Sequence, residues 1–255
     1  LNNPLDYGRK VFFLYPHNVI EEHILLSLIK NEFEVYLVRD HGKLLKLLHQ
    51  FPRAMVYINI DETLTEADWS AYVKNIKELF PDDPIGIFSS YNNSKLAEKY
   101  LMDIGVQSGF ITLRSGVENA RVILNKTLLA NEARGRRRYI RVRPSLGAAT
   151  LNIRHQGNLV SGKIFDVSSV GLSCSFDAKD LDFPEGSKFK DIQLMLKGLR
   201  VKVDAVVVKK RAEPGKIPAF ILLFDQTLLP TDREKIHTFI LRSLQVDLEG
   251  WLAKL

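Results

Sequence analysis

Six of the ten residues from Arg134 to Arg143 are arginine, and 25 residues beyond Arg141 the chain reads Asp166-Val-Ser168-Ser-Val-Gly171. A guanidinium is a planar fork that grips a phosphate, or the acceptor edge of a guanine, through two parallel hydrogen bonds. A short Asp-x-Ser turn offers acceptors to the donor-bearing edge of the same base. Together the two segments have the chemistry of a clamp for a guanine nucleotide. Taken singly, neither is specific. An arginine pair recurs in any basic run, and Asp-x-Ser-x-x-Gly is also an ordinary turn in which Asp and Ser bond local backbone and Gly supplies positive φ.

The elements that must position these groups change character midway along the 255 residues. Residues 1–130 carry 14 Lys and Arg against 16 Asp and Glu, whereas residues 131–255 carry 22 against 14, so the whole excess of +6 arises in the second half. A basic half attracts nucleic acid, an anionic membrane surface or a phosphorylated ligand, and charge alone does not choose among them. Apolar residues make up 45% of the chain, enough for real cores and against a disordered reading. The single cysteine, Cys174, excludes a disulfide within one chain and a cysteine metal site, and its apolar alternating surroundings predict a buried strand thiol. No run approaches 18 apolar residues, and the opening Leu1-Asn-Asn-Pro-Leu-Asp-Tyr-Gly-Arg has no apolar signal-peptide core, so no membrane span and a cytoplasmic location are expected.

From Lys10 to about residue 133, short apolar runs alternate with helical stretches, the pattern of a parallel α/β sheet. Strands are predicted at Val11–Tyr15, Glu34–Val38, Ala54–Ile58, Ile85–Phe88 and Gly109–Leu113. Helical faces are predicted from Ile20, Ile24, Leu25 and Leu28, from Tyr72, Val73, Ile76 and Leu79, and from Val117, Ala120, Leu124 and Leu128. Gly135 is expected to stop the last of these helices. Beyond residue 138 the period falls to two, with turn residues about every ten positions, as in a small antiparallel barrel or sandwich. Strands are predicted there at Tyr139–Pro144, Ala148–His155, Leu159–Val167, Gly171–Phe176, Phe189–Leu196, Leu199–Lys210 and Pro218–Phe224. The closing stretch Thr231–Leu255 carries Ile236, Phe239, Ile240, Leu244 and Leu248 at helical spacing, and packs either on the barrel or against the first domain.

The first half resembles the receiver domain of two-component signalling, a five-stranded flavodoxin-like sheet, in rhythm only. Where a receiver has an acidic pair after its first strand, this chain reads Tyr15-Pro16-His17; where it has the phosphate-accepting aspartate, Ile58-Asn59-Ile60; and where it has a lysine after the fifth strand, Phe110-Ile-Thr-Leu-Arg114. The segment Asp61-Glu-Thr-Leu-Thr65 precedes a helix, and its acidic and Thr residues are expected to cap it, while Ser89 and Ser90 are expected to be loop residues. Fold does not imply activity, and phosphoryl chemistry is not expected here.

The second half resembles the PilZ domain, a bacterial receptor module for cyclic di-GMP, over roughly residues 134–245. Arg137-Arg-Tyr-Ile-Arg141 matches that family's RxxxR motif, Arg136 gives its double-arginine form, and Asp166-Val-Ser168-Ser-Val-Gly171 matches its (D/N)xSxxG motif. The resemblance implies ligand contacts from Arg136, Arg137, Arg141, Asp166, Ser168 and Gly171. Arginine suits the acceptor edge, the phosphates and stacking on a purine. Asp166 suits the donor edge, Ser168 a hydroxyl bond to base or phosphate, and Gly171 a close backbone approach. Four or five charge-assisted contacts at about 1.5–3 kcal/mol each would outweigh ordering costs and reach about micromolar affinity, near −8 kcal/mol.

The expected organisation is therefore a receiver-like α/β domain over 8–133, an arginine-rich linker and ligand loop over 134–143, and a PilZ-type β-barrel with its C-terminal helix over 138–255. No cofactor other than the ligand cyclic di-GMP, no metal and no catalysis are expected; the six histidines are scattered and no P-loop or nucleophile elbow occurs. Because the arginine run is both linker and ligand loop, and its charges repel until an anion arrives, binding is expected to reorient the two domains toward a downstream protein partner. The rival reading is a nucleic-acid-binding regulator that uses the arginines and the basic barrel, with Tyr139 stacking on a base. The downstream partner, the oligomeric state and whether the ligand binds as a monomer or an intercalated dimer are left open by the sequence.

Overall fold

A computed structural model describes residues 8–135, 138–177, 181–211 and 218–255. The chain divides into two compact units, Leu1–Arg138 with Leu244–Leu255, and Tyr139–Ser243.

The first unit is a doubly wound sheet. Strands β1 (Val11–Leu14), β2 (Val35–Val38), β3 (Met55–Asn59), β4 (Ile85–Ser89) and β5 (Phe110–Thr112) are parallel in the order β2-β1-β3-β4-β5. This is the flavodoxin and receiver order, in which the chain reverses direction beside β1 and β3. The central strands β1, β3 and β4 are buried at every residue, which is why they read as continuous apolar runs rather than alternating ones. Helices α1 (Leu25–Lys30, entered through a π turn at Ile20–Ile24), α2 (His41–Gln50), α3 (Glu66–Leu79), α4 (Ser94–Glu98) and α5 (Val117–Ala130) connect and cover them.

Three expectations for this unit need correction. Leu79 is 50% exposed, so the buried stripe of α3 consists of Trp69, Val73 and Ile76 with Tyr72 at its margin. The capping expected of Asp61–Thr65 narrows to Thr65, whose Oγ1 accepts from Asp68 N at 3.3 Å, whereas Asp61 bonds elsewhere. Helix α5 ends at Ala130, before Gly135: Ala133 N donates to Leu128 O and Glu132 N to Leu129 O, the paired bonds of a Schellman stop. Glu132 takes the left-handed conformation there at φ 54°, so the stop was reached by a residue that sequence preference disfavours.

The second unit is an antiparallel barrel. Its strands are β6 (Arg141–Val142), β7 (Ala149–His155), β8 (Asn158–Ser168), β9 (Gly171–Phe176), β10 (Lys188–Leu196), β11 (Leu199–Arg211) and β12 (Ala219–Phe224). They run in the order β6-β8-β7-β10-β11-β12-β9, and β9 returns to β8, so six strands close a ring with β6 added to β8. Closure removes the free edges that a small open sheet would expose. Inward positions alternate as expected for period two, for example Val201, Val203, Ala205 and Val207 on β11, all buried. Phe176, Phe183, Phe189 and Phe220 form a mutually contacting aromatic cluster in this core.

Helix α6 (Pro230–Leu252) is shared between the units as they divide, its residues up to Ser243 in the second and those from Leu244 in the first. Both packing alternatives are thus realised. In the first unit Gln245 completes the exposed edge of β2, accepting from Leu37 N at 3.0 Å and donating to Val35 O at 3.2 Å. Trp251 packs against Tyr36 and Phe51, with ring centroids 5.1 and 4.5 Å apart. None of the described helices is long and apolar enough to cross a membrane.

Candidate functional site

The barrel brings the two sequence motifs together through strand pairing. Arg141 on β6 pairs with Ser168 on β8, and Val142 with Val167. Directly opposed residues of an antiparallel pair point to the same face, with Cβ atoms about 4.5–5.5 Å apart. Two residues on, Arg143 and Asp166 occupy the positions that would next face each other on that side, and both line one cavity of about 510 Å³. That volume lies within the roughly 300–1,000 Å³ usual for small-ligand sites.

A β-bulge aims Asp166 outward. Opposite β9, Ile164 pairs with Cys174 but Asp166 pairs with Ser173, so Phe165 is an extra residue in β8. Gly162 and Ile164 face the core, and strict alternation would turn residue 166 inward with them. The inserted residue resets the alternation: Val167 is buried instead, and Lys163, Phe165 and Asp166 all line the cavity.

The cavity also occupies a gap in the ladder. Strand β7 pairs with β8 through Lys163, and β6 joins the same edge at Val167, so among the described residues no strand pairs with Ile164, Phe165 or Asp166 there. The connector from Arg143 to Gly147 lines the space, and its Leu146 is 90% exposed. Across the barrel surface the wall follows the pairing of Asp166 with Ser173, Ser173 with Ile221, and Ala219 with Arg211. Ser173 Oγ donates to Asp166 Oδ2 at 2.5 Å, which fixes the carboxylate and leaves it further lone pairs for a ligand. Among the described residues, the charged lining groups are Arg143, Lys163 and Arg211 against Asp166.

The remaining motif residues hold the turn. Ser168, 6% exposed, donates its hydroxyl to Gly171 O at 3.0 Å. Gly171 lies so close to β12 that a Cβ would come within 2.3 Å of Leu222 O, which accounts for glycine without any left-handed φ. Neither lines the cavity. Arg136 and Arg137 lie outside the described residues. Arg134 belongs to the first unit: its Nε and Nη2 donate to Asn31 O at 3.0 and 2.6 Å, and its guanidinium lies 5.5 Å from the centre of the Phe33 ring. The sequence motifs do not single out Arg143, and Lys163 and Arg211 lie outside them. The spacing of Ile164 and Val167, three apart in a strand of period two, was the one signal that a bulge reorients this stretch.

At the carboxyl ends of the first unit's strands, where a doubly wound sheet has its ligand crevice, the groups are tied to one another. Asp61 accepts from Ser89 Oγ at 2.7 Å and from Ser90 N, and Asn59 Oδ1 accepts from Asp61 N at 3.2 Å. The carboxylate therefore joins the loops after β3 and β4, and Ser89 is the buried end of β4 rather than a loop residue. Among the described residues no three His, Cys, Asp or Glu side chains are grouped as metal ligands would be.

No protein-family model matches the chain, and no curated protein does. Among solved structures it is similar to the PilZ domain of YcgR from Escherichia coli with c-di-GMP, at 19% identity and a TM-score of 0.38, over 47% of this chain and 99% of that one. It is similar to a K. pneumonia MrkH–c-di-GMP complex at 22% identity and a TM-score of 0.37, over 45% of this chain and 53% of that one, about half of MrkH's length. It is also similar to the signal receiver domain of an HD domain-containing protein from Pseudomonas fluorescens, at 15% identity and a TM-score of 0.39, over 49% and 97%. The two units have a five-stranded parallel sheet and a closed six-stranded antiparallel barrel as their folds. At these identities and TM-scores the likenesses say nothing about ligand.

Proposed function

We propose that this protein is a receptor for cyclic di-GMP, binding it on the outer face of the barrel without catalysis of its own. The observation that carries this is the pairing of Arg141, the last arginine of the RxxxR motif, with Ser168 of the DxSxxG motif, next to a basic cavity that Arg143 and Asp166 line although Arg141 does not. Cyclic di-GMP carries two phosphodiester charges, which suit a cavity whose described lining is net positive. Arg136, Arg137, Arg141 and Arg143 take the phosphates and the acceptor edge of a guanine, where a bidentate fork gives both strength and orientation. Asp166 takes the donor edge. Ser168 and Gly171 keep the turn in the shape that holds Asp166 outward.

Isothermal calorimetry with cyclic di-GMP tests the assignment on the parent chain and on Arg137→Ala and Asp166→Ala. The expected result is binding by the parent and a loss of at least tenfold in each variant. No heat from the parent, or unchanged binding in both variants, overturns it. The nucleic-acid reading makes the opposite forecast, an affinity that falls steeply with salt and ignores Asp166.

The output is assigned to the segment between the units, which contains the arginines. Ligand binding there changes how the α/β unit is presented to a downstream protein. Small-angle scattering with and without saturating cyclic di-GMP should give different profiles, and identical profiles remove this part of the assignment.

A further inference from the structure

We propose that Phe165 is the stacking platform for a purine of the bound ligand, and so a specificity-determining residue of the site; this rests on the cyclic di-GMP assignment. Of the fourteen phenylalanines, Phe165 alone is exposed, at 40%, and it does so inside a cavity rather than on open surface. Its exposure is built into the fold, because Phe165 is the inserted residue of the β8 bulge. The same bulge turns Asp166 outward, so the ring and the carboxylate that would read the base edge are adjacent in sequence and line one space. Lys163 lines it as well, and among the described residues no strand pairs with this edge of β8. The ring makes no aromatic contact with any described residue.

A base bound edge-on to Asp166 needs something against its flat face. Arginine side chains can serve, but they are also needed by the phosphates; a phenyl ring has no donor to divert and offers only a π face. Stacking alone does not distinguish one base from another. The platform therefore selects ligands that carry a purine over simple anions, while Asp166 discriminates among purines.

The test uses the full chain with cyclic di-GMP in three variants, Phe165→Ala, Phe165→Leu and Phe165→Trp. Stacking predicts that Ala and Leu both weaken binding by roughly 5- to 150-fold, the range that aromatic–base stacking covers, while Trp restores it. Leucine separates stacking from simple apolar packing. The introduced tryptophan should also change its emission on ligand addition, measured against the parent, which has Trp69 and Trp251. Thermal unfolding without ligand should be unchanged, because the side chain is exposed. Binding by Phe165→Ala within twofold of the parent, or parent-like binding by Phe165→Leu, overturns the platform while leaving the receptor assignment standing. Failure of the parent itself to bind is the separate failure of that assignment.

Discussion

Arg141 stands across the β6–β8 ladder from Ser168, whereas Arg134, seven residues earlier in the same arginine run, grips the carbonyl of Asn31 in the other unit. On the proposed assignment the run is divided by function. Replacing Arg141 by Ala would then remove a charge-assisted ligand contact worth about 1.5–3 kcal/mol, and cyclic di-GMP affinity should fall by roughly 10- to 150-fold. Replacing Arg134 by Ala should leave affinity within about twofold and instead lower the unfolding midpoint of the α/β unit, since Asn31 O loses its donor. Calorimetry and denaturant unfolding on the two variants separate these outcomes.

How much of this was legible in advance follows from what each feature depends on. The strands could be found because burial of one face or both imposes an apolar period that stays within a strand. The conjunction of the arginines with Asp166, Ser168 and Gly171 was visible for the same reason, as local spacing. The cavity's other charges were not. Arg211 is brought near through β12 and β9, and nothing in its own neighbourhood records that register; Lys163, three residues before Asp166 on β8, shares its face only because the Phe165 bulge resets the alternation. The role of Ser168 was likewise hidden, since a hydroxyl donated to Gly171 O and one donated to a ligand look the same in sequence. Asp61 read as a helix cap because acidic residues before a helix usually are; Thr65 caps at the proper distance, and Asp61 was free to tie two loops.

Gly171 should tolerate no side chain. An added Cβ would sit 2.3 Å from Leu222 O, a backbone atom held in the β9–β12 ladder, so the seam has to open. Gly171→Ala is expected to lower barrel stability by about 1–3 kcal/mol, the usual cost of overpacking. Urea unfolding measures it. A variant with parent stability would mean that the seam yields freely and that this glycine serves only a ligand.

Cys174 should be chemically silent in the folded protein. It is fully buried on β9, and burial pushes its thiol up to about 12, so the reactive thiolate is scarce at neutral pH. A maleimide reagent at pH 7 is expected to label it only as fast as the barrel opens. Labelling should become rapid in denaturant, and ligand should slow native labelling by stabilising the folded state. Rapid labelling of the native chain would show that this strand is reachable.

Asp83 should give the α/β unit a pH dependence opposite in sign to that of a salt-bridged carboxylate. It is 2% exposed and its Oδ2 has no partner among the described residues, so desolvation raises it from 3.8 to about 7, opposed by backbone N–H bonds from Arg53 and Ala54 and by the Arg9 charge. The folded state then holds a proton that the unfolded chain has released between pH 4 and 7. Stability must fall as pH rises through that window, because the folded state binds the more protons. About three units at 1.36 kcal/mol per unit bound the cost at roughly 4 kcal/mol once the group is ionised. Asp83→Asn keeps the shape and abolishes the charge. It should be more stable than the parent at pH 8, equal to it near pH 4, and flatter between, as read by unfolding midpoints of the α/β unit across that range. Parent and variant curves that run parallel would mean that Arg9 keeps Asp83 ionised throughout.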